Sequence, residues 1–309
     1  MASYWLFASC KGFGFGGEWA AGAVLLGEII RGRHRGKGMG IVHGGWAVGW
    51  GAAALAYAAC FSLLPVDIAW RLLFAVGVLP AVAVLFLRRL VAEPEVFQQA
   101  RRAPKARASS GGLAIFGPAY VRTTILASIL AIGAQGGFYA ILIWLPTYLK
   151  TVRHLSVLNT GGYLAVVIVA SFLGYVSGAY LADGIGRRRT FFLFSTCSVL
   201  TVVAYTALPL SDHWMLLLGV PLGFFPSGSY SGIGALLNEL YPTQMRGSGV
   251  GFCFNFGRAI GALFPTLVGL LAATIPLGQA IGWFSAGAYG LLVIAAMLLP
   301  ETRGNSLTT

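Results

Sequence analysis

The sequence predicts an all-α membrane protein built from two related parts, and three observations support this. Hydrophobic residues make up 57% of the 309 residues and charged residues only 10%, whereas a soluble domain carries about 25% charged residues. Apolar runs long enough to cross a bilayer recur through the chain, and one charged motif occurs twice. These features together indicate that lipid, and not water, surrounds most of the chain.

The repeated motif is a glutamate followed seven residues later by Arg-Gly-x-Gly-x-Gly. One copy runs from Glu28 to Gly40 and the other from Glu239 to Gly251, an offset of 211 residues (239 − 28 = 211). A period of this length is not that of a short solenoid repeat. In a strongly apolar chain, two halves related in this way are typical of a secondary transporter.

Nine apolar runs have about the 20 residues that a helix needs to span lipid. The distribution of basic residues tests the membrane topology of these runs, because positively charged loops stay in the cytoplasm. With the loop 31–37 inside, sixteen Lys and Arg residues lie on the cytoplasmic side and four on the other. This asymmetry predicts nine crossings with the C-terminus in the cytoplasm. The runs lie near residues 4–28, 39–64, 69–90, 121–149, 158–182, 190–209, 213–237, 247–274 and 279–299.

The segment 93–119 is the long polar stretch of the sequence, and it separates three runs from six. It holds Glu-Pro-Glu, then Arg and Lys with Ala and Pro, then Ser-Ser-Gly-Gly. It therefore predicts a cytoplasmic linker at 93–119 between a partial N-terminal half of three transmembrane helices at 1–92 and a six-helix C-terminal half with a short cytoplasmic tail at 120–309.

The stretch Gly178-x-x-x-x-Asp183-x-x-Gly186-Arg187-Arg188 resembles the inter-helix signature of the major facilitator superfamily. The two Glu-to-Arg copies and the ending Pro300–Gly304 are similar to that superfamily as well. The counterpart of Gly178 would lie at 178 − 211 = −33, so the resemblance covers helices four to twelve of a twelve-helix fold and implies an N-terminally truncated chain. Trp144–Tyr148 and Asn255–Arg258 most resemble proton symporters of the sialate and monocarboxylate group.

The resemblance implies gating roles for charged residues at the cytoplasmic ends of the helices. Asp183, beside a turn of two or three residues, would cap the helix that begins near Gly38 when the cytoplasmic side is closed. A carboxylate at a helix N-terminus stabilises it by about 0.3–1 kcal/mol. Each glutamate and the arginine of its motif copy are expected to form ion pairs between neighbouring helices; the alternative is ordinary interfacial charge. The predicted gating and ion-pair residues are Asp183, Arg187, Arg188, Glu28, Arg35, Glu239 and Arg246.

Two ionisable residues are predicted near the bilayer midplane, where such groups are costly and functional by default. Glu18 lies ten residues before Glu28, about 15 Å deeper in a core of about 30 Å. It is the predicted proton-coupling residue, with a helix–helix hydrogen bond as the alternative. Arg258 lies eleven residues past Gly247, and its guanidinium suits the carboxylate of a substrate. The alternative is a permanent internal pair with an acid such as Glu18.

Neutral polar groups on apolar helices complete the predicted site. Gln135, Tyr139 and Asn255 are expected to line the substrate cavity, although each could instead make an interhelical hydrogen bond. His43 lies near the start of the second run and is a further candidate for proton handling.

Other classes of function find no support in the sequence. Gly12-x-Gly14-x-x-Gly17 matches the dinucleotide fingerprint, but that motif needs a preceding strand, and here it falls inside an apolar run. The four cysteines lie singly in apolar runs, and no catalytic triad, zinc motif or ATPase motif is present. We therefore expect no enzyme activity, cofactor, metal, ATP or nucleic acid, and we attribute the net charge of +12 to loops that stay inside.

The sequence thus predicts a monomeric, proton-coupled symporter of a small organic anion, carboxylate- or sialate-like, in a bacterial inner membrane, working by alternating access. A sugar or polyol porter of the same superfamily is one alternative, because the ending Pro300–Gly304 resembles those proteins too. A truncated fragment without transport of its own is another. Arg258 separates the first two, since a neutral sugar has no use for a cation at the midplane.

Overall fold

A computed structural model describes residues 2–90, 112–155 and 157–304, with side chains described except at 2–11, 13–15, 81, 87–90 and 157–160. The described part holds twelve α-helices and two 3₁₀ turns, at Gly32–His34 and Gly112–Phe116, and no strand. The helices are α1 (Ala2–Ile29), α2 (Arg35–Leu63), α3 (Val66–Val76), α4 (Leu79–Leu90), α5 (Val121–Thr151), α6 (Val157–Ile185), α7 (Arg187–Ala207), α8 (Asp212–Ser231), α9 (Ile233–Leu240), α10 (Thr243–Gly261), α11 (Phe264–Leu271) and α12 (Leu277–Leu298).

All nine predicted apolar runs are helical, and three of them are broken into two helices. The breaks fall at Gly77 between α3 and α4, at Gly232 between α8 and α9, and just before Pro265 in the first turn of α11. Glycine and proline weaken helix interiors because glycine costs backbone entropy and proline lacks an N–H donor.

Among the described residues, six segments are long and apolar enough to cross a membrane by length and composition, which confirms a multi-pass, all-α membrane protein. They are Gly32–Leu63, Val121–Thr151, Gly161–Ile185, Arg187–Ala207, Thr243–Leu271 and Leu277–Leu298.

The chain divides into two compact units, residues 46–109 and a larger unit of residues 1–45 with 110–309. In the smaller unit, most side chains of α3 and α4 are exposed and apolar. In the larger unit, α6 packs along α8, and α5 packs between α10 and α12. A Cβ on Gly174 of α6 would collide with the Phe224 carbonyl of α8, so glycine is what permits this close approach.

The predicted linker falls mostly outside the described residues, which resume at residue 112. From there the 3₁₀ turn Gly112–Phe116 packs on the C-terminal helices, with the Thr124 hydroxyl donating to the Ile115 carbonyl at 2.7 Å. The division into parts at 1–92, 93–119 and 120–309 stays a prediction.

Candidate functional site

The first feature of the site is the carboxylate of Asp183 at the N-terminus of α2. The amides of Gly36 and Lys37 donate to its two oxygens at 3.0 and 2.9 Å. These amides have no partner within their own helix, and a carboxylate also complements the positive end of the helix dipole. A Cβ on Gly36 would lie 2.5 Å from Asp183 Oδ1, so only glycine lets α2 and α6 come this close. Arg187 pairs with the same carboxylate at 2.9 Å.

The two motif copies meet beside Asp183 and the N-terminus of α2, and their ion pairs cross from one copy to the other. We call this region the arginine-rich end; it contains Glu28, Arg35, Asp183, Arg187, Glu239 and Arg246. Arg35 pairs with Glu239, and Arg246 pairs with Glu28, both at 2.9 Å. The expected pairing within each copy is therefore wrong. The reason is local, because each arginine donates its Nε at 3.1 Å to the carbonyl just before its own glutamate, Gly27 or Asn238, and thereby directs Nη1 towards the other copy.

Glu239 is the centre of this charged network. Its carboxylate accepts from Arg35 Nη1 and from Arg187 Nη2, both at 2.9 Å, and from Arg187 Nε at 3.2 Å. The Thr302 hydroxyl donates to its second oxygen at 2.5 Å. The three charged side chains are at most 3% exposed, so removal of Glu239 would leave the buried charge of Arg35 without an acidic partner among the described residues.

The C-terminal segment joins the network through Glu301, whose carboxylate accepts from the first two amides of α7, Arg187 at 2.9 Å and Arg188 at 3.1 Å. Burial alone would raise the pKa of Glu301, but backbone N–H donors, including those of Thr302 and Arg303, lower it further than burial raises it. The net pKa therefore lies below its ordinary value. Gly186 alone forms the turn, where two or three residues were expected. Its φ of +105° favours glycine, and a Cβ there would also meet the Glu301 carboxylate.

Away from this end, the larger unit contains a group of rings from five helices, which we call the aromatic cluster. Trp19 stacks on Phe254 with ring centroids 3.3 Å apart, and Tyr230 lies edge-on to Phe254 at 6.3 Å. His43 lies 5.5 Å from the Tyr230 ring and 5.9 Å from Tyr175. The aromatic cluster therefore consists of Trp19, His43, Tyr175, Tyr230 and Phe254.

Three of the residues predicted to bind substrate lie together beside the aromatic cluster. The Arg258 guanidinium lies 4.8 Å over the Phe254 ring, and the Tyr139 hydroxyl is hydrogen bonded to it. Gln135 is fully buried, donates to the Phe254 carbonyl at 2.8 Å and accepts from Tyr139 at 3.5 Å. A cation, a phenol and an amide thus meet against an aromatic wall, which suits a small anion with an apolar body.

Asn255 has a different position from the other predicted substrate residues. Its Nδ2 donates to the Gly16 carbonyl of α1 at 3.0 Å and to the Gly251 carbonyl at 2.9 Å. Asn238, which the sequence analysis missed, does the same with the Ala23 carbonyl at 3.0 Å and the Gly234 carbonyl at 2.8 Å. The two asparagines therefore clamp α1 at two levels. The sequence did contain an indication of this role, because Asn238 is a polar amide inside an apolar run and directly precedes Glu239.

Glu18 is exposed, while its neighbour Ala20 on α1 is buried. Its role in proton coupling stays a prediction. The sequence analysis also gave no role to Trp19 or Tyr230, because a single aromatic residue in an apolar run gives no signal of the cluster it will join.

Comparison with known proteins identifies the relatives of this chain. The profile of the Major Facilitator Superfamily matches residues 2–216 and 177–309. The "Probable 4-methylmuconolactone transporter" of Cupriavidus pinatubonensis is 43% identical over 95% of this chain and 68% of its own length. The "Cis,cis-muconate transport protein" of Acinetobacter baylyi is 28% identical over 94% of this chain and 70% of its own length. The "Citrate-proton symporter" of Salmonella typhi is 28% identical over 76% of this chain and 55% of its own length.

Proposed function

The chain belongs to the Major Facilitator Superfamily and is a transporter, not an enzyme; on this basis we propose that it is a proton-coupled symporter of a small organic anion that works by alternating access. The observation that carries the proposal is the position of Arg258 against Phe254 and Tyr139. The names of the relatives agree with it, since muconate and citrate are carboxylates and one relative is named a proton symporter.

Arg258 is suited to hold the carboxylate of the substrate. A guanidinium stays charged in any environment and offers two parallel N–H donors that match a carboxylate. An arginine on a membrane-spanning helix is costly and is kept where it serves a substrate or an ion. Tyr139 and Gln135 would then contact the remaining polar atoms of the substrate, while the ring of Phe254 contacts its apolar body.

The arginine-rich end supports alternating access. Its contacts, from Asp183 to α2 and from each motif copy to the other, join helices of the two predicted halves. Access to the interior from this end requires that these contacts break, and they reform when the opposite side opens. The excess of Lys and Arg on this side assigns it to the cytoplasm, with the C-terminal tail. We assign the protein to a bacterial inner membrane, as a monomer.

Uptake of radiolabelled cis,cis-muconate into membrane vesicles that contain the protein tests the proposal. We expect an inward proton gradient to drive accumulation, and Arg258→Ala to abolish it. Arg189→Ala, which removes an exposed arginine on α7, is the matched control and should leave uptake unchanged. Uptake by Arg258→Ala equal to that of the wild type would exclude the carboxylate assignment. Uptake of a neutral hexose in place of carboxylates would identify a sugar porter instead.

A further inference from the structure

His43 is a buried histidine with one ring nitrogen that has no hydrogen-bond partner among the described residues. The side chain is 7% exposed, and its Nδ1 lies 3.0 Å from the Met39 carbonyl one turn earlier in α2. Its Nε2 is the atom without a partner. A buried polar atom left in this way costs about 1–3 kcal/mol, so its retention calls for a reason.

The bond to Met39 fixes which nitrogen can take up a proton. A carbonyl oxygen can only accept, so Nδ1 must carry the hydrogen. In the neutral ring, Nε2 then holds the lone pair, and protonation of His43 occurs at Nε2. The atom without a partner is therefore the basic atom of the ring.

The groups that face His43 come from four helices and place it near the proposed substrate site. Trp19 of α1 lies 5.7 Å away, Tyr175 of α6 5.9 Å and Tyr230 of α8 5.5 Å, measured between ring centroids. Tyr230 in turn contacts Phe254, the ring over which Arg258 lies. The charge of Arg258 on α10 also acts on the imidazole. The facing titratable groups are thus two neutral phenols and one cation.

We propose that His43 carries the coupling proton at Nε2 and that it takes up this proton together with the anionic substrate; the inference rests on the proposed function, with Arg258 as the carboxylate site. A proton from the outer aqueous phase would add to the Nε2 lone pair to give an imidazolium ion, and it would leave from the same atom to the cytoplasm. No other bond forms or breaks.

Electrostatics links the two binding events. With the site empty, an imidazolium at His43 and the guanidinium of Arg258 would repel each other in surroundings of low dielectric constant. A bound carboxylate neutralises Arg258, and this removes the repulsion. Proton and substrate therefore bind cooperatively, and each raises the affinity for the other by the same factor. His43 thereby takes the role that the sequence analysis gave to the exposed Glu18.

The decisive measurement is the number of protons taken up for each muconate bound. Calorimetric titration of the purified protein with cis,cis-muconate, in two buffers of different ionisation enthalpy, gives this number. We expect the wild type to take up protons, at most one for each muconate bound, and to lose affinity as the pH rises. His43→Asn, which keeps a donor for the Met39 carbonyl, should bind without proton uptake and with little dependence on pH. His213→Asn, at an exposed histidine of α8, should behave as the wild type.

A second measurement observes the protonation change in the wild-type protein itself. In protein labelled with ¹⁵N-histidine, muconate should move one Nε2 resonance from the unprotonated to the protonated position, and His43→Asn assigns that resonance. Absence of this change, or wild-type proton uptake by His43→Asn, would overturn the role of His43 and leave the symporter proposal intact. Failure of the wild type to bind any carboxylate would overturn the proposed function and this inference with it.

Discussion

Arg35 forms its ion pair with Glu239, 204 residues further along the chain, and not with Glu28 of its own motif copy. The reciprocal pair of Arg246 with Glu28 spans 218 residues. Each copy of the motif therefore binds the other copy, and the two glutamates join segments that lie more than 200 residues apart in the chain.

Double-mutant cycles should detect this crossed pairing. We expect Arg35→Gln and Glu239→Gln to be strongly non-additive. Glu239→Gln leaves the buried charge of Arg35 unpaired, a loss of about 3–5 kcal/mol, whereas Arg35→Gln leaves Glu239 its ion pair with Arg187 and should cost less. Arg35→Gln and Glu28→Gln should add, since no contact joins these two side chains in the structure. Chemical unfolding in detergent micelles measures the stability of the three single and two double variants. Coupling between Arg35 and Glu28 larger than that between Arg35 and Glu239 would contradict the crossed arrangement.

Gly36→Ala should destabilise the contact between α2 and α6. The new Cβ would lie 2.5 Å from Asp183 Oδ1 and 3.1 Å from the Ala179 carbonyl, and overpacking of this kind costs about 1–3 kcal/mol. Gly45→Ala in the same helix meets no atom within 4 Å and should be neutral, or stabilising by up to about 1 kcal/mol through helix propensity. Thermal unfolding of the two variants provides the comparison. Equal melting temperatures would show that α2 and α6 do not approach as closely as described.

Acidification should release the C-terminal segment from α7. The pKa of Glu301 is lowered in the folded protein, so its contribution is present above the ordinary carboxyl pKa and is lost as the pH falls through the lowered value. The protection of the Arg187 and Arg188 amides from hydrogen exchange, measured relative to their intrinsic exchange rates, should therefore fall below about pH 4. Glu301→Gln should show this lower protection already at neutral pH and should differ little from the wild type in acid. Protection in Glu301→Gln that equals the wild type at neutral pH would mean that the carboxylate does not hold these amides.

Asn255→Ala should affect stability more than substrate affinity, although the sequence placed Asn255 in the substrate cavity. Its amide bonds two backbone carbonyls, Gly16 and Gly251, and interhelical bonds in membranes contribute about 0.6–2 kcal/mol. Asn238→Ala should have a similar effect, whereas Thr274→Ala, at an exposed hydroxyl, should have none. Unfolding and muconate titration together separate the two roles. A large loss of muconate affinity in Asn255→Ala at unchanged stability would show that Asn255 belongs to the substrate site.

Sequence reasoning predicted the fold class and the positions of the helices because membrane helices are long and uniformly apolar, and the structure confirms both. It did not predict the breaks near Gly232 and Pro265, since glycine and proline also occur inside intact helices such as α5 and α8. It assigned Gln135, Tyr139 and Arg258 to one site, Arg258 from its depth in the membrane and the other two as polar residues on apolar helices. It could not place Glu18, because nearly all residues of α1 are apolar and the pattern does not indicate which face is buried.

The arginine of each motif copy pairs with the glutamate of the other copy. A two-fold symmetric interface between identical chains requires the same kind of reciprocal pairing. In such a homodimer a single substitution changes both contacts at once. In this continuous chain the two contacts can differ, because each residue is encoded separately. In the described structure Glu28 has one arginine partner, Arg246, whereas Glu239 binds Arg187 and Thr302 in addition to Arg35. Loss of Glu239 therefore disturbs more of the molecule than loss of Glu28, and the two copies of the motif are no longer interchangeable.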